Sequence, residues 1–459
     1  MRACSFLYMK ASASYKNILQ VALPILIGMI AQNILLLTNT AFLGHTADAE
    51  TGLSVSAMGG LFYVLVSMLS FGFANGAQVL IARRAGEGAN KTIGNIFFHN
   101  LIIMSVYAAL AFVACFLFAP DILRWIIPDE KVYLLSSSYI KHRSYGLLFT
   151  ILITCFNSFY TGVGRTRVIL FSTITASVVN IGLDYTLIFG HFGFKAMGTD
   201  GAAIASVFAD FSSLLVLFIN AIATSDYRHK MNLFKPFKIQ WNIIVSLMRL
   251  SAPLVIQFGI SFGAWYMFFA VLGARGGTDL AISNVLRSIL FLGTISCWAI
   301  ASTANSLVSN LIGQNKQTEV FALIRKAVTL SFSITVVFVG FILLFPKTIM
   351  HIYTSDPAII NGSVGPIISM CIGMCLLSVA TVLFQSVQGT GSTRFNLAAE
   401  AFAVAIYCLY LFGGIKHYRL NLTLAWCSEI VYWVSLGSVC LWYLLSKRWL
   451  THAQKIALR

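Results

Sequence analysis

Apolar stretches of 20 or more residues recur along the whole of this chain, each long enough to cross a hydrocarbon core of about 30 Å. Twelve are readable, at roughly 17–43, 53–80, 93–119, 138–161, 167–190, 200–223, 243–272, 280–311, 321–346, 363–388, 396–415 and 420–446. In hydrocarbon, backbone N–H and C=O groups must bond within their own segment, so such spans are helices. They lack the strict alternation of a membrane barrel. Charged residues make up only 10% of the chain, against about 25% in soluble domains, too few to solvate a globular surface. An all-α membrane protein follows. The first span is too long for a cleavable leader, and no small-residue cleavage site precedes a soluble domain.

The second constraint is an internal repeat. Gly162-Val163-Gly164-Arg165-Thr166-Arg167 returns 227 residues later as Gly389-Thr390-Gly391-Ser392-Thr393-Arg394. The same shift lays Ala74-Asn75-Gly76-Ala77-Gln78 onto Ala301-Ser302-Thr303-Ala304-Asn305, and Gly86 onto Gly313. Pro24 and Pro253 open matching apolar runs at nearly that shift. The polar stretch Ser225–Gln240 is the natural linker, predicting lobes of 1–228 and 229–459. Six spans per lobe is an even number, so both lobes insert with one orientation, as parallel repeats related by an axis along the membrane normal.

The net charge of +16 reads as topology rather than nucleic-acid binding. With the N-terminus inside, one set of loops holds Arg2, Lys10, Lys16, Arg83, Arg84, Lys91, Arg165, Arg167, Arg228, Lys230, Lys235, Lys238, Arg249, Lys316, Arg325, Lys326, Arg394, Lys447, Arg448, Lys455 and Arg459. The opposite face holds fewer: Arg124, Lys131, Lys141, Arg143, Lys195, Arg275, Lys347, Lys416 and Arg419. The bias follows the positive-inside rule, with both termini cytoplasmic. The cysteines form no framework. Cys371 and Cys375 share a helix face without His or acidic companions, so no metal site is expected.

No Gly-x-x-x-x-Gly-Lys-Ser/Thr loop is present, which disfavours ATP-driven pumping within this chain. Gly259-Ile260-Ser261-Phe262-Gly263 matches a serine-hydrolase pattern, but that motif needs a strand-to-helix elbow and here lies in an apolar helix. The histidines, among them His45, His99 and His351, are read as lying in loops or near span ends. No enzyme and no cofactor are expected.

The chemistry rests on charges inside spans: Asp184, Asp210, Glu400, Glu429 and one base, Arg287. A charge at mid-membrane costs about 2.5–3.5 kcal/mol on insertion scales, so each needs a cavity, a partner or a proton. Asn180 precedes Asp184 by four residues and shares its helix face. A carboxylate beside an amide, with no base nearby, suits reversible holding of a proton or small cation. The alternative is a neutral Asp bonded to a backbone carbonyl. Asp210 has no polar partner at helical spacing. Gln32 and Asn39 share a face of the first span, lining a wet interior or, for Asn39, capping the helix. In the second half Glu400 and Tyr407 share a face, as do Glu429 and Tyr432, and Asn284 and Arg287. There a structural Arg287–carboxylate pair competes with a cation-substrate or coupling role for Glu400 or Glu429. Phe and Met side chains facing a central cavity would suit lipophilic, aromatic substrates.

Twelve spans in two halves, with these motifs, resemble the MATE (multidrug and toxic compound extrusion) transporters of prokaryotes along essentially the whole chain. The likeness is carried by Asn39-Thr40-Ala41-Phe42-Leu43-Gly44, Asn180-Ile181-Gly182-Leu183-Asp184, Gly198-Thr199-Asp200-Gly201-Ala202-Ala203-Ile204-Ala205 and the two Gly-x-Gly-x-Thr-Arg turns. The resemblance implies a V-shaped pair of six-helix bundles that alternate in access, in the bacterial inner membrane and as a monomer. It also implies inward H⁺ or Na⁺ flow driving export of cationic amphipathic compounds. A flippase for lipid-linked saccharides, in the same superfamily, is the rival reading. Asn180 and Asp184 match the family's cation site, which would hold any Na⁺, and Ser206 takes the place of a hydroxyl residue usual there. Many bacterial members have Asp where this chain has Asn39. Span seven lacks an acid between Ile243 and Leu272.

Overall fold

The computed structural model describes residues 11–46, 48–235, 238–273, 277–417 and 420–450. Arg2, Lys10, Arg275, Arg419, Lys455 and Arg459 of the charge pattern lie outside the described residues. Twelve long helices run as α1 (Tyr15–Gly44), α2 (Ala49–Glu87), α3 (Asn90–Ile126), α4 (Glu130–Gly162), α5 (Arg167–Phe189), α6 (Gly198–Ala223), α7 (Trp241–Gly273), α8 (Gly277–Gly313), α9 (Gln317–Leu344), α10 (Val364–Gly389), α11 (Thr393–Leu409) and α12 (Leu422–Leu445). The chain is therefore an all-α membrane protein, and each expected span has its helix. Among the described residues, eleven helices are long and apolar enough to cross a membrane by length and composition. The long helix outside that set is α4, whose first half carries Lys141, His142 and Arg143.

Caps, not hydropathy alone, set where helices begin and end, and α2 and α4 outrun their apolar segments. Asp129 accepts from Val132 N–H at 2.8 Å to start α4, and Asn421 accepts from Leu424 N–H at 2.9 Å to start α12, as capping carboxylates and amides do. Gly88 and Gly190 close α2 and α5 in the left-handed region, at φ 72° and 78°. Three short helices were not expected: Ser225–Lys230 in the linker, and Pro346–Tyr353 and Pro357–Gly362 before α10. The last two open on prolines, whose missing N–H is no loss at that position. Beyond Leu409, α11 continues as a π-helical segment, Tyr410–His417.

The repeat is a repeat of packing. Gly164 and Gly391 both take positive φ, 75° and 89°, in the turns after α4 and α10, a region where a Cβ is penalised. The preceding glycines are contact points. A Cβ on Gly162 would lie 3.2 Å from Gln78 O and 2.8 Å from Ile81 Cγ2, and one on Gly389 would lie 2.4 Å from Asn305 O. Gln78 and Asn305 are themselves equivalent positions. The end of α2 also recurs at the end of α8. Ala89 N–H bonds to Arg84 O at 3.0 Å, and Lys316 N–H bonds to Leu311 O at 2.9 Å.

The chain divides into two compact units, Leu23–Val255 and Met1–Ala22 with Ile256–Arg459. They are called here the N-unit and the C-unit. The division differs from the expected 1–228 and 229–459. It falls not in the Ser225–Gln240 stretch but inside α1 and α7, beside Pro24 and Pro253. A proline inside a helix removes one backbone hydrogen bond and crowds the turn before it. The residues before each proline can therefore pack apart from those after it. Accordingly Ile18 and Ala22 of α1 join the core of α8, α9, α10, α11 and α12 in the C-unit. A second apolar cluster in that unit gathers Phe268, Leu286, Met374, Tyr407 and Trp426. In the N-unit, Phe97 packs edge-on against Phe156 at 5.1 Å, and Phe159 stands edge-on to Tyr227 at 5.4 Å. Outward faces stay apolar: Leu36, Leu37, Val337 and Leu344 are exposed, as lipid-facing positions are.

His99, in the first third of α3, is fully buried. Its Nδ1 lies 2.6 Å from Asn95 O, and its Nε2 accepts from Gln240 N–H at 2.8 Å. That pairing assigns the proton to Nδ1 and ties the linker to α3. The Gly-x-Ser-x-Gly match lies wholly inside α7.

Candidate functional site

In the N-unit, α1 and α5 bring together Asn39, Asn180 and Asp184. Asp184 is fully buried and Asn180 nearly so. One helical turn separates Asn180 and Asp184, and the Asn180 amide donates to Asp184 Oδ2. Asn180 Nδ2 also lies 3.3 Å from the Asn39 amide. With its nitrogen turned toward acceptors, Asn39 donates to Leu35 O at 3.2 Å and to the same Asp184 Oδ2. Two amides thus converge on one carboxylate oxygen. The other, Oδ1, is buried and has no hydrogen-bond partner among the described residues. Among the described residues no ion pair involves Asp184. A bare carboxylate with one orphaned oxygen is costly in such a place, and a proton or a cation on that oxygen removes the cost. Ser206 on α6 is partly buried, and no bond joins it to Asp184 among the described residues.

Asp210 stands in a different environment from the one expected. Its Oδ2 accepts from Arg143 Nη1 at 2.7 Å, from Thr150 Oγ1 at 3.0 Å and from Tyr63 OH at 3.4 Å. Tyr63 OH also lies 2.6 Å from Thr150 Oγ1, and the guanidinium sits 3.9 Å from the Tyr63 ring centroid. The N-unit therefore does hold a base within its helices, contrary to the sequence reading that placed Arg143 on the far face. Gly146 makes room for the cluster: a Cβ there would lie 2.1 Å from Arg143 Nη1 and 3.1 Å from Asp210 Oδ2. The signal was present, since Arg143 falls inside the expected span 138–161. Its partners come from α2 and α6, however, far away in sequence.

In the C-unit the Arg287–carboxylate pair, one of the two readings open from the sequence, is not formed among the described residues. Glu400, buried on α11, accepts through Oε1 from Ser261 Oγ of α7 and from Tyr432 OH of α12 at 2.6 Å. Glu429 Oε2 accepts from Trp433 Nε1 at 2.9 Å. The same-helix neighbours expected from spacing are not the partners. Tyr407 stacks edge-on against Tyr432 at 5.8 Å, and Tyr432 crosses to Glu400 rather than serving Glu429. The Arg287 guanidinium instead lies over aromatic rings, 5.1 Å from the Phe269 centroid and 6.0 Å from that of Trp265. Asn284, one turn before it on α8, is partly buried, and its backbone carbonyl accepts from Ser288 Oγ at 3.2 Å.

Comparison with known proteins agrees with this architecture. A model of the MatE family matches twice, at residues 24–186 and 253–412. Both matches open on the prolines that divide α1 and α7. The chain is 26% identical over 438 residues to a probable multidrug resistance protein NorM of Thermotoga maritima, covering 95% of this chain and 93% of that protein. It is 22% identical over 388 residues to a probable multidrug resistance protein YoeA of Bacillus subtilis, covering 83% and 82%. Among solved structures, it superposes with a TM-score of 0.86 on an outward-facing multidrug resistance MATE family transporter of the MOP superfamily. That match is at 18% identity over 97% of each chain. The repeat, the twelve helices and the paired family match together place this chain in the MatE family, as a membrane transporter and not an enzyme.

Proposed function

We propose that the chain is a secondary active antiporter of the cytoplasmic membrane, with both termini inside, exporting cationic or amphipathic organic compounds as a monomer in exchange for H⁺ or Na⁺. No other cofactor is needed. The observation that carries this reading is Asp184: buried, held by Asn180 and Asn39 through one oxygen, and, among the described residues, unpaired by any base and without a hydrogen-bond partner on the other oxygen. Loading that oxygen neutralises the site, and the loaded and unloaded forms then favour different packings of the N-unit. Coupling free energy comes from that difference in binding. Asp210 does not share the role while Arg143 neutralises it.

A second reading, a flippase for lipid-linked saccharides, draws on Arg287, which has no acid partner among the described residues. Purified protein in liposomes under an imposed gradient separates the two. Antiport gives a change in internal pH or Na⁺ that depends on added organic cation, and a flippase moves lipid without it. No ion movement linked to any organic cation would defeat the antiport reading.

A further inference from the structure

The α7 face carrying Ser261, Trp265 and Phe269 holds one negative and one positive group apart from each other. These residues are four apart, so they stack along one face of the helix. Ser261 donates to Glu400. Trp265 and Phe269 carry the Arg287 guanidinium on their rings. At 1.5 Å per residue, the carboxylate and the guanidinium sit roughly 6–12 Å apart along α7. They are opposite charges within one unit, yet among the described residues no ion pair joins them. Aromatic rings fill the space between: Trp265 meets Phe269 at 5.0 Å and Phe291 at 5.6 Å. Ser261, Trp265, Phe269 and Arg287 are all partly exposed, and Phe291 is exposed. Glu400 is itself buried, while its two hydroxyl donors, Ser261 and Tyr432, remain partly exposed.

An Arg side chain keeps its charge in any protein environment and offers a planar fork of donors suited to carboxylate or phosphate. Held on rings, without an acid, it retains that capacity for a ligand. We propose that Arg287 is the anion-recognising end of a bipolar substrate site in the C-unit, with Glu400 and Tyr432 as the cation-recognising end. The site selects aromatic amphiphiles bearing both a positive and a negative group. This rests on the export reading above and narrows its substrate class.

The test measures binding, without any gradient, to purified protein in nanodiscs of phosphatidylcholine. The probes are a naphthalene-cored amino acid whose ammonium and carboxylate are held at the stated separation, and its methyl ester. Wild type is expected to bind the acid on the order of tenfold more tightly than the ester, as one charge-assisted contact allows. Arg287→Gln loses that preference while keeping its affinity for the ester, Arg287→Lys keeps part of it, and Glu400→Gln weakens both probes. Equal binding of acid and ester by wild type overturns the subsite alone. So does equal weakening of both probes in Arg287→Gln, which marks a structural role. Loss of the preference in nanodiscs that include anionic phosphatidylglycerol assigns Arg287 to a lipid headgroup and overturns it as well. Failure of wild type to bind either probe overturns the subsite, while the export reading stands or falls with the gradient assay above.

Discussion

Replacing Asp184 by Asn removes one ionisable group and almost nothing else. In the native site two amide donors converge on Oδ2 while Oδ1 is buried without a partner. An Asn placed there keeps its oxygen toward Asn180 and Asn39 and sets its own amide where Oδ1 was. One orphaned buried atom replaces another, each costing about 1–3 kcal/mol, so folding stability changes little. What disappears is the difference between a loaded and a bare carboxylate. At about 2.5–3.5 kcal/mol for a charge within the membrane, that difference shifts the ratio of two conformations by roughly 70- to 400-fold. Asp184→Asn should therefore reduce cation-linked exchange in proteoliposomes to background, read as internal pH or Na⁺ change on substrate addition. Substrate affinity in detergent should stay within about threefold of wild type, since the groups proposed to hold substrate, Arg287 and Glu400, are left unchanged. Full exchange retained by Asp184→Asn, at native expression and melting temperature, would refute the reasoning.

The Arg143–Asp210 pair is mostly enclosed, so Asp210→Asn or Arg143→Gln alone leaves a partner stranded and should cost about 3–5 kcal/mol. The double variant should recover a measurable part of that in thermal unfolding. Gly389→Ala drives a Cβ to 2.4 Å from Asn305 O, a backbone atom that cannot turn aside, whereas Gly413→Ala meets nothing within 4 Å. The first should lower stability by about 1–3 kcal/mol and the second should not. Asp48, in the loop before α2, is held below the ordinary carboxylate range chiefly by the hydrogen bond from Lys131 and then by that from Thr51. A depressed carboxylate contributes above its unfolded pKa and loses that contribution as pH falls through the folded value. Because Asp48 is fully exposed, the readout is its own titration. Lys131→Ala should move that titration upward with no change in melting temperature.

The parts of this protein legible in the sequence are those whose causes are local. Twelve helices were readable because hydrocarbon forces backbone bonds inside each apolar run. The Gly-x-Gly turns were readable because a left-handed residue needs glycine at a fixed offset. The Asn180–Asp184 contact was readable because four residues make one helical turn. What helical spacing misjudged were bonds that cross between helices. Glu400 shares a face with Tyr407, yet the hydroxyls that reach it come from α7 and α12; Glu429 is served within its own helix, by Trp433 four residues on rather than by Tyr432. Arg143 was counted as a loop charge because no neighbour at helical spacing announces Asp210, sixty-seven positions later. The boundary of the units was missed for a similar reason. Polarity marks linkers, whereas here two prolines within apolar helices mark where packing changes partners.

Duplication supplied two scaffolds, and the charges on them follow opposite strategies. In the N-unit one acid is permanently answered, since the guanidinium of Arg143 lies on Asp210 with Thr150 and Tyr63 completing its bonds. Such a pair is worth little as stability, yet breaking it is expensive. Under the proposed antiport, that leaves Asp184 as the buried acid of α5 to be neutralised by a proton or cation from outside the protein. In the C-unit the acids are satisfied by hydroxyl and indole donors, and the guanidinium rests on aromatic rings, so opposite charges remain unspent on each other. Charges that could cancel but are kept apart by Trp265 and Phe269 retain their attraction for a ligand. The N-unit arrangement suits a site that takes and releases a single small cation, and the C-unit arrangement suits one that recognises a larger molecule by its shape and both its charges. Similar turns and helices can carry both because the repeat lies in glycines, prolines and caps, none of which is Asp184, Asp210, Arg287, Glu400 or Glu429.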